Sequence, residues 1–204
     1  MEKKKIIING HEAVDLGLSV KWAACNIGAE SPEEYGGYYA WGETEEKSNY
    51  NWSTYKWCDG SYNSITKYCT DSCYGRVDNK TVLDPEDDVA HVKWGGNWRM
   101  PTLDEIKELL EMCTWEWTTL NGVGGQEVTA PNGNSIFLPA TGSRYGSVSA
   151  CGGRGSDGKY QSSTLHENRS DDAVSLYTCS AIMWNMRSYG SRIYGYAVRP
   201  VTDK

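Results

Sequence analysis

The chain has 204 residues, with 27 acidic against 20 basic side chains and a formal charge of −7. Beyond Lys3 to Lys5 its cations form no stripe that would release counterions from a phosphate backbone, which argues against nucleic acid as a partner. Only 39% of residues are hydrophobic, yet nine Trp and 14 Tyr stand against one Phe, so much of the apolar area sits in rings that keep a polar handle and suit exposed pockets as well as cores.

In chain order, strands are predicted at Lys5 to Asn9, Val20 to Cys25 and Tyr38 to Trp41. The apolar run Ile6 to Ile8 is too short for a signal peptide or a spanning helix, so no membrane insertion is expected. A short helix is predicted from Pro85 to about Val92, with Asp84 as cap and Pro85 in its first turn. The clearest helix begins at Thr102. Thr102 and Glu105 have the spacing of a capping box, and Leu103, Ile106, Leu109, Leu110 and Cys113 follow at helical intervals. A hairpin is predicted over Gln126 to Pro139, turning at Asn132-Gly133 in a type I′ turn. Further strands fall at Val174 to Cys179 and Tyr194 to Val201. No linker or repeat divides the chain, so one domain over 1–204 is expected, of α+β class, loop-rich, with short strands and one or two helices.

Seven cysteines, Cys25, Cys58, Cys69, Cys73, Cys113, Cys151 and Cys179, are an odd number at irregular spacings, which prescribes no complete disulfide framework. For Cys69 and Cys73 a bridge, half a metal site and two plain thiols are all open, with thiols favoured. His11, His91 and His166 lie far apart, without zinc-ligand spacing. Asp84, Glu86, Asp87 and Asp88 offer oxygen atoms that calcium would accept, but acidic residues at a helix start are more often caps and dipole partners. No phosphate-binding loop, dinucleotide fingerprint or nucleophile elbow is present. No metal, cofactor or catalytic residue is therefore expected.

Four stretches resemble a family of bacterial and phage lectin-like domains: Val14 to Ala23, Tyr38 to Glu43, Trp94 to Thr102, and Tyr196 to Val201. The resemblance implies a C-type lectin-like fold in the variant shared with the formylglycine-generating enzyme. It also points to the variable proteins of diversity-generating retroelements. In such proteins reverse transcription with errors at template adenines rewrites Asn-type codons near the C-terminus into a limited set of residues, which excludes Trp, Met, Gln, Glu and Lys. Residues His166 to Tyr196 fit that set except Glu167, Met183, Trp184 and Met186, which would be invariant scaffold, and Gln161 also lies outside it.

What the resemblance implies is a variable ligand-binding region at about 160–197 that recognises a protein or glycan on a target cell. Its displayed positions would be Asp171, Asp172, Val174, Ser175, Tyr177, Thr178, Ser180, Ile182, Tyr189, Ser191, Arg192, Ile193, Tyr194 and Tyr196. The mix suits recognition, because Tyr gives rigid contact area while Ser and Asp adapt their hydrogen bonds. Two alternatives stand beside this reading: a cysteine-dependent oxidase or oxygenase of the formylglycine-generating type, with Cys151 and Cys179 as its only C-terminal candidates, and a structural module of a surface or phage tail assembly. Fold analogy alone does not supply a function.

Overall fold

The computed structural model describes residues 5–147, 151–180 and 186–204. Short strands open the chain: β1 (Ile6–Ile8), β2 (His11–Val14), β3 (Lys21–Ala23) and β4 (Asn49–Tyr50). Two helices follow, α1 (Val89–Trp94) and α2 (Leu103–Met112). The rest is strand: β5 (Thr114–Leu120), β6 (Val123–Thr129), β7 (Ser135–Pro139), β8 (Ser143–Arg144), β9 (Gly146–Ser147), β10 (Cys151–Gly152), β11 (Asp157–His166), β12 (Arg169–Cys179), β13 (Met186–Ser191) and β14 (Val201–Thr202). Among the described residues they form five small sheets, ordered β1-β2-β3-β14, β5-β6-β7, β11-β12-β13, β4-β9 and β8-β10.

With 40% strand against 11% helix, the architecture is β-rich, and the expected α+β class of the lectin-like reading is corrected accordingly. The excess strand comes from β5, β11 and β13, all held by cross-strand pairing; the Thr, Ser and Gly residues of β11 and β13 carry little apolar alternation. The predicted helix at Pro85 is in fact a 3₁₀ turn, Pro85–Asp87, followed by α1. Asp84 makes no side-chain cap there. Asp88 does so instead, its Oδ1 accepting from the N–H groups of Ala90 and His91 at 2.9 and 3.1 Å. Two predicted strands shrink to isolated bridges and a terminal pair: Tyr39 bridges Tyr196, and only Val201 and Thr202 join β3.

The capping box of α2 is present. The Glu105 N–H donates to Thr102 Oγ1 at 3.3 Å, and the Thr102 N–H to Glu105 at 2.8 Å. The predicted hairpin is β6 and β7, but not with the predicted turn. Asn-Gly makes two-residue turns at Asn9-Gly10 and Asn121-Gly122, where both φ angles are positive (47° and 85°, 50° and 83°). At Asn132-Gly133 only the glycine is left-handed, and the loop spans five residues. There the Asn132 amide donates to the Asp15 carbonyl at 2.9 Å, tying the loop to the N-terminal segment.

The core explains the composition. Tyr38, Tyr50, Tyr55 and Tyr160 are buried, and each hydroxyl donates to a backbone carbonyl: Thr141, Tyr38, Trp41 and Pro139, at 2.5 to 2.7 Å. Irregular buried backbone leaves carbonyls without ladder partners, and a tyrosine fills space and satisfies one at once, as phenylalanine cannot. Trp41 and Trp98 do the same through their indole N–H groups, to Ser162 and Ile8. Trp22, Trp94 and Trp98 are buried anchors, as the sequence implies.

Arg199 is a larger donor of the same kind. Its fully buried guanidinium donates to the carbonyls of Ala23, Ala24 and Phe137 and to the Asn26 side chain, at 2.8 to 3.1 Å, joining the N-terminal sheet to β7. Arg199→Met keeps the stem and removes four bonds, leaving buried acceptors unpaired. It is expected to cost at least about 3 kcal/mol of stability in urea unfolding, whereas a loss under about 1 kcal/mol would show that water replaces the guanidinium.

Candidate ligand-binding groove

The predicted display residues divide by burial. Val174, Ser175, Thr178, Arg192, Ile193 and Tyr196 are buried, at 0 to 7% exposure, so they do not stand on the surface where the sequence reading put them. The reason is that β12 is the middle strand of its sheet, between β11 and β13, and residues 192–196 turn inward to pair with Tyr39 and Arg144. The hydroxyls of Ser175 and Thr178 are buried with no hydrogen-bond partner among the described residues. Asp171, Asp172, Tyr177, Tyr189, Ser191 and Tyr194 are half-buried and Ser180 is exposed. Ile182 lies outside the described residues, as does Trp184.

Four of the accessible residues come together. Asp171 and Asp172 on β12, Ser191 at the end of β13, and Tyr194 line an open groove of about 550 Å³ with Arg169 and Gly190. Its other wall comes from the first third of the chain, from Trp52 and Tyr62. Trp52 sits in a 3₁₀ turn, Trp52–Thr54, capped by Asn51, and its ring meets Tyr55 edge-on with centroids 5.8 Å apart. Tyr62 is 54% exposed at the tip of a turn in which Ser64 Oγ accepts from the N–H groups of Asp59 and Ser61, both at 3.1 Å. Tyr194 is set by a turn, its N–H donating to the Ser191 carbonyl at 2.9 Å.

The carboxylates share one cation. Arg169 donates to Asp171 at 3.0 and 3.3 Å and lies 3.3 Å from an Asp172 oxygen. Burial and the neighbouring charge of Asp171 push the Asp172 carboxyl up from its ordinary value.

Arg192 holds the groove together from beneath. Its guanidinium donates to the carbonyls of Tyr68, Ser170 and Lys67 and to the Tyr55 hydroxyl, at 2.6 to 3.0 Å, and lies 4.8 Å from the Trp41 ring centroid. Ser170 precedes Asp171 and Tyr55 follows Trp52 by three residues, so one side chain ties both walls. This is a structural role in place of the predicted contact role.

The other accessible positions lie apart from this groove. Tyr177 donates to Asp157 at 3.0 Å, with the Lys159 ammonium 4.2 Å from its ring centroid. Tyr189 packs on His166 at 4.1 Å. Cys151 and Cys179 are thiols on different sheets, and none of the seven cysteines forms a disulfide. The Cys151 thiol lies 3.7 Å from the Tyr38 hydroxyl, which burial raises to about 12.

The carboxylates of Asp84, Glu86 and Asp87 converge within 4.8 Å, but Lys67 already takes the place of a cation there. Its ammonium lies 2.7 Å from Asp84 and 2.6 Å from Asp87. Asp88 is turned away as the cap of α1.

Sequence reasoning missed Trp52, Tyr62 and Arg169. Trp52 and Tyr62 belong to a stretch as rich in Tyr, Ser and Asn as the C-terminal segment, and that composition was the available signal. No family model matches the chain, and no curated protein or solved structure was found to match it. Among the described residues no helix is long and apolar enough to cross a membrane.

Two measurements check this arrangement. Tyr196→Ala empties a buried site and should cost about 3 kcal/mol, whereas Tyr194→Ala, at the half-buried groove wall, should cost less than about 1 kcal/mol in the same urea titration. Hydrogen bonds from Lys67 and Lys80 hold the Asp84 carboxyl down to about 2, against about 3.9 in the unfolded chain. A depressed carboxyl stabilises fully above its unfolded value, and that contribution goes as pH falls from about 4 towards 2. The unfolding midpoint should fall across that window, less steeply in Lys67→Met; equal slopes would exclude the network as the cause.

Proposed function

We propose that the chain is a ligand-binding display protein whose groove between residues 52–62 and 169–194 recognises a protein or glycan on a target cell, in the manner of the variable proteins of diversity-generating retroelements. The observation that carries the reading is the convergence of three aromatic rings, two carboxylates and the Ser191 hydroxyl from four separate segments on one open groove. Such a mix provides rigid contact area beside adaptable hydrogen bonds, which is recognition chemistry.

The reading divides the C-terminal positions into two classes. Asp171, Asp172, Ser191 and Tyr194 can vary without disturbing the interior, while Arg192, Ile193 and Tyr196 cannot. Sequencing the gene's 3′ end codon by codon across a population that carries it tests this. Substitutions are expected to accumulate at 171, 172, 191 and 194, with 192, 193 and 196 constant. An invariant segment, or variation as frequent at the buried codons, would overturn diversification of this surface.

A further inference from the structure

Taking the groove as the binding site, we propose that its ligand presents a cationic side chain, arginine or lysine, from a protein partner, seated against Asp171 and Asp172 and between the rings of Trp52, Tyr62 and Tyr194. Among the residues lining the groove two carboxylates face one guanidinium, which leaves one uncompensated negative charge. Both carboxylate side chains are only 14% exposed, so water screens them poorly. Burial first, and then the charge of Asp171, push the Asp172 carboxyl up from its ordinary value, against the opposing pull of Arg169. Arg169 sits on the rim at 53% exposure, so a second cation would join it without displacing it.

The rings supply the second term. The face of an aromatic ring attracts a cation, most strongly where water is excluded. The protein makes this pairing repeatedly within its own chain, with Arg192 over Trp41 and Tyr55, Lys159 over Tyr177, and Arg187 over Tyr189, at 4.2 to 5.2 Å from the ring centroids. Among the described residues that line the groove Arg169 is the one cation beside the three rings and two carboxylates, and outside it His166 lies near enough to act on Asp172. A neutral sugar would stack on the rings but leave the charge uncompensated. The net charge of −7 would steer a basic surface toward the groove at low salt.

The test is titration of the intact protein with blocked tripeptides Gly-Arg-Gly, Gly-Lys-Gly and Gly-citrulline-Gly and with a neutral trisaccharide, maltotriose, followed by NMR at the Trp52 indole N–H, assigned through Trp52→Phe. The arginine and lysine peptides should shift that signal saturably, with citrulline at least about tenfold weaker. In Asp171→Asn/Asp172→Asn the preference for arginine over citrulline should vanish. Should that variant unfold by circular dichroism, Tyr62→Ala serves in its place, since the exposed ring can go without loss of stability; it should weaken the arginine peptide several-fold. Equal shifts from arginine and citrulline, or a shift from maltotriose alone, would overturn the cationic ligand while leaving the groove as the binding site. No shift from any probe overturns the cationic ligand too. Added to an invariant 3′ end, it would remove the groove reading as well.

Discussion

Two buried guanidinium groups hold a chain in which long irregular segments run between short strands. Loops that pass through an interior bring carbonyls with no ladder partner, and each unpaired carbonyl there costs on the order of 1–3 kcal/mol. A guanidinium carries five N–H donors in a rigid plane, so one side chain answers several carbonyls from different segments. Arg199 does this for the carbonyls of Ala23, Ala24 and Phe137, and Arg192 for those of Lys67, Tyr68 and Ser170. Neither has a carboxylate within ion-pair distance among the described residues. The backbone dipoles and, for Arg192, the faces of Trp41 and Tyr55 take the place of a counter-ion.

The preference for tyrosine follows from the same need. Buried tyrosines contribute apolar area as a phenylalanine would and close one carbonyl each, so a core of this kind tolerates long connections between short strands. It also couples surface to interior. The walls of the groove lie one to three residues from groups that Arg192 holds, at Ser170 and Tyr55, and the rings at the surface inherit a fixed geometry from a buried cation. Fixed rings and shared carboxylates are what an interface needs if it is to bind without first ordering itself.

Parts of this were legible in the residues. The capping box at Thr102 and Glu105 and the amphipathic face of α2 are local, since their partners lie within one helical turn, and both are present. The anchoring tryptophans were legible from their spacing among small residues. The turn at Asn132-Gly133 was not, because an Asn-Gly pair permits a type I′ turn and the tie from Asn132 to Asp15, 117 residues away, decides against it. Asp88 replaced Asp84 as a cap because Pro85 to Asp87 closes a 3₁₀ turn before the helix starts.

The amino-acid sequence by itself determined the elements whose hydrogen bonds close within a few residues, and a composition of Tyr, Trp, Ser and Asp suited to recognition. The tertiary structure decided which of those side chains are free to recognise anything. Arg192 and Tyr194 are two residues apart and alike in belonging to a polar, aromatic segment, yet one is fully buried and the other lines a groove. Trp52 and Tyr62 join Asp171 across more than a hundred residues of chain. Burial and long-range pairing depend on where carbonyls are left unsatisfied in the folded chain, and no local pattern carries that information.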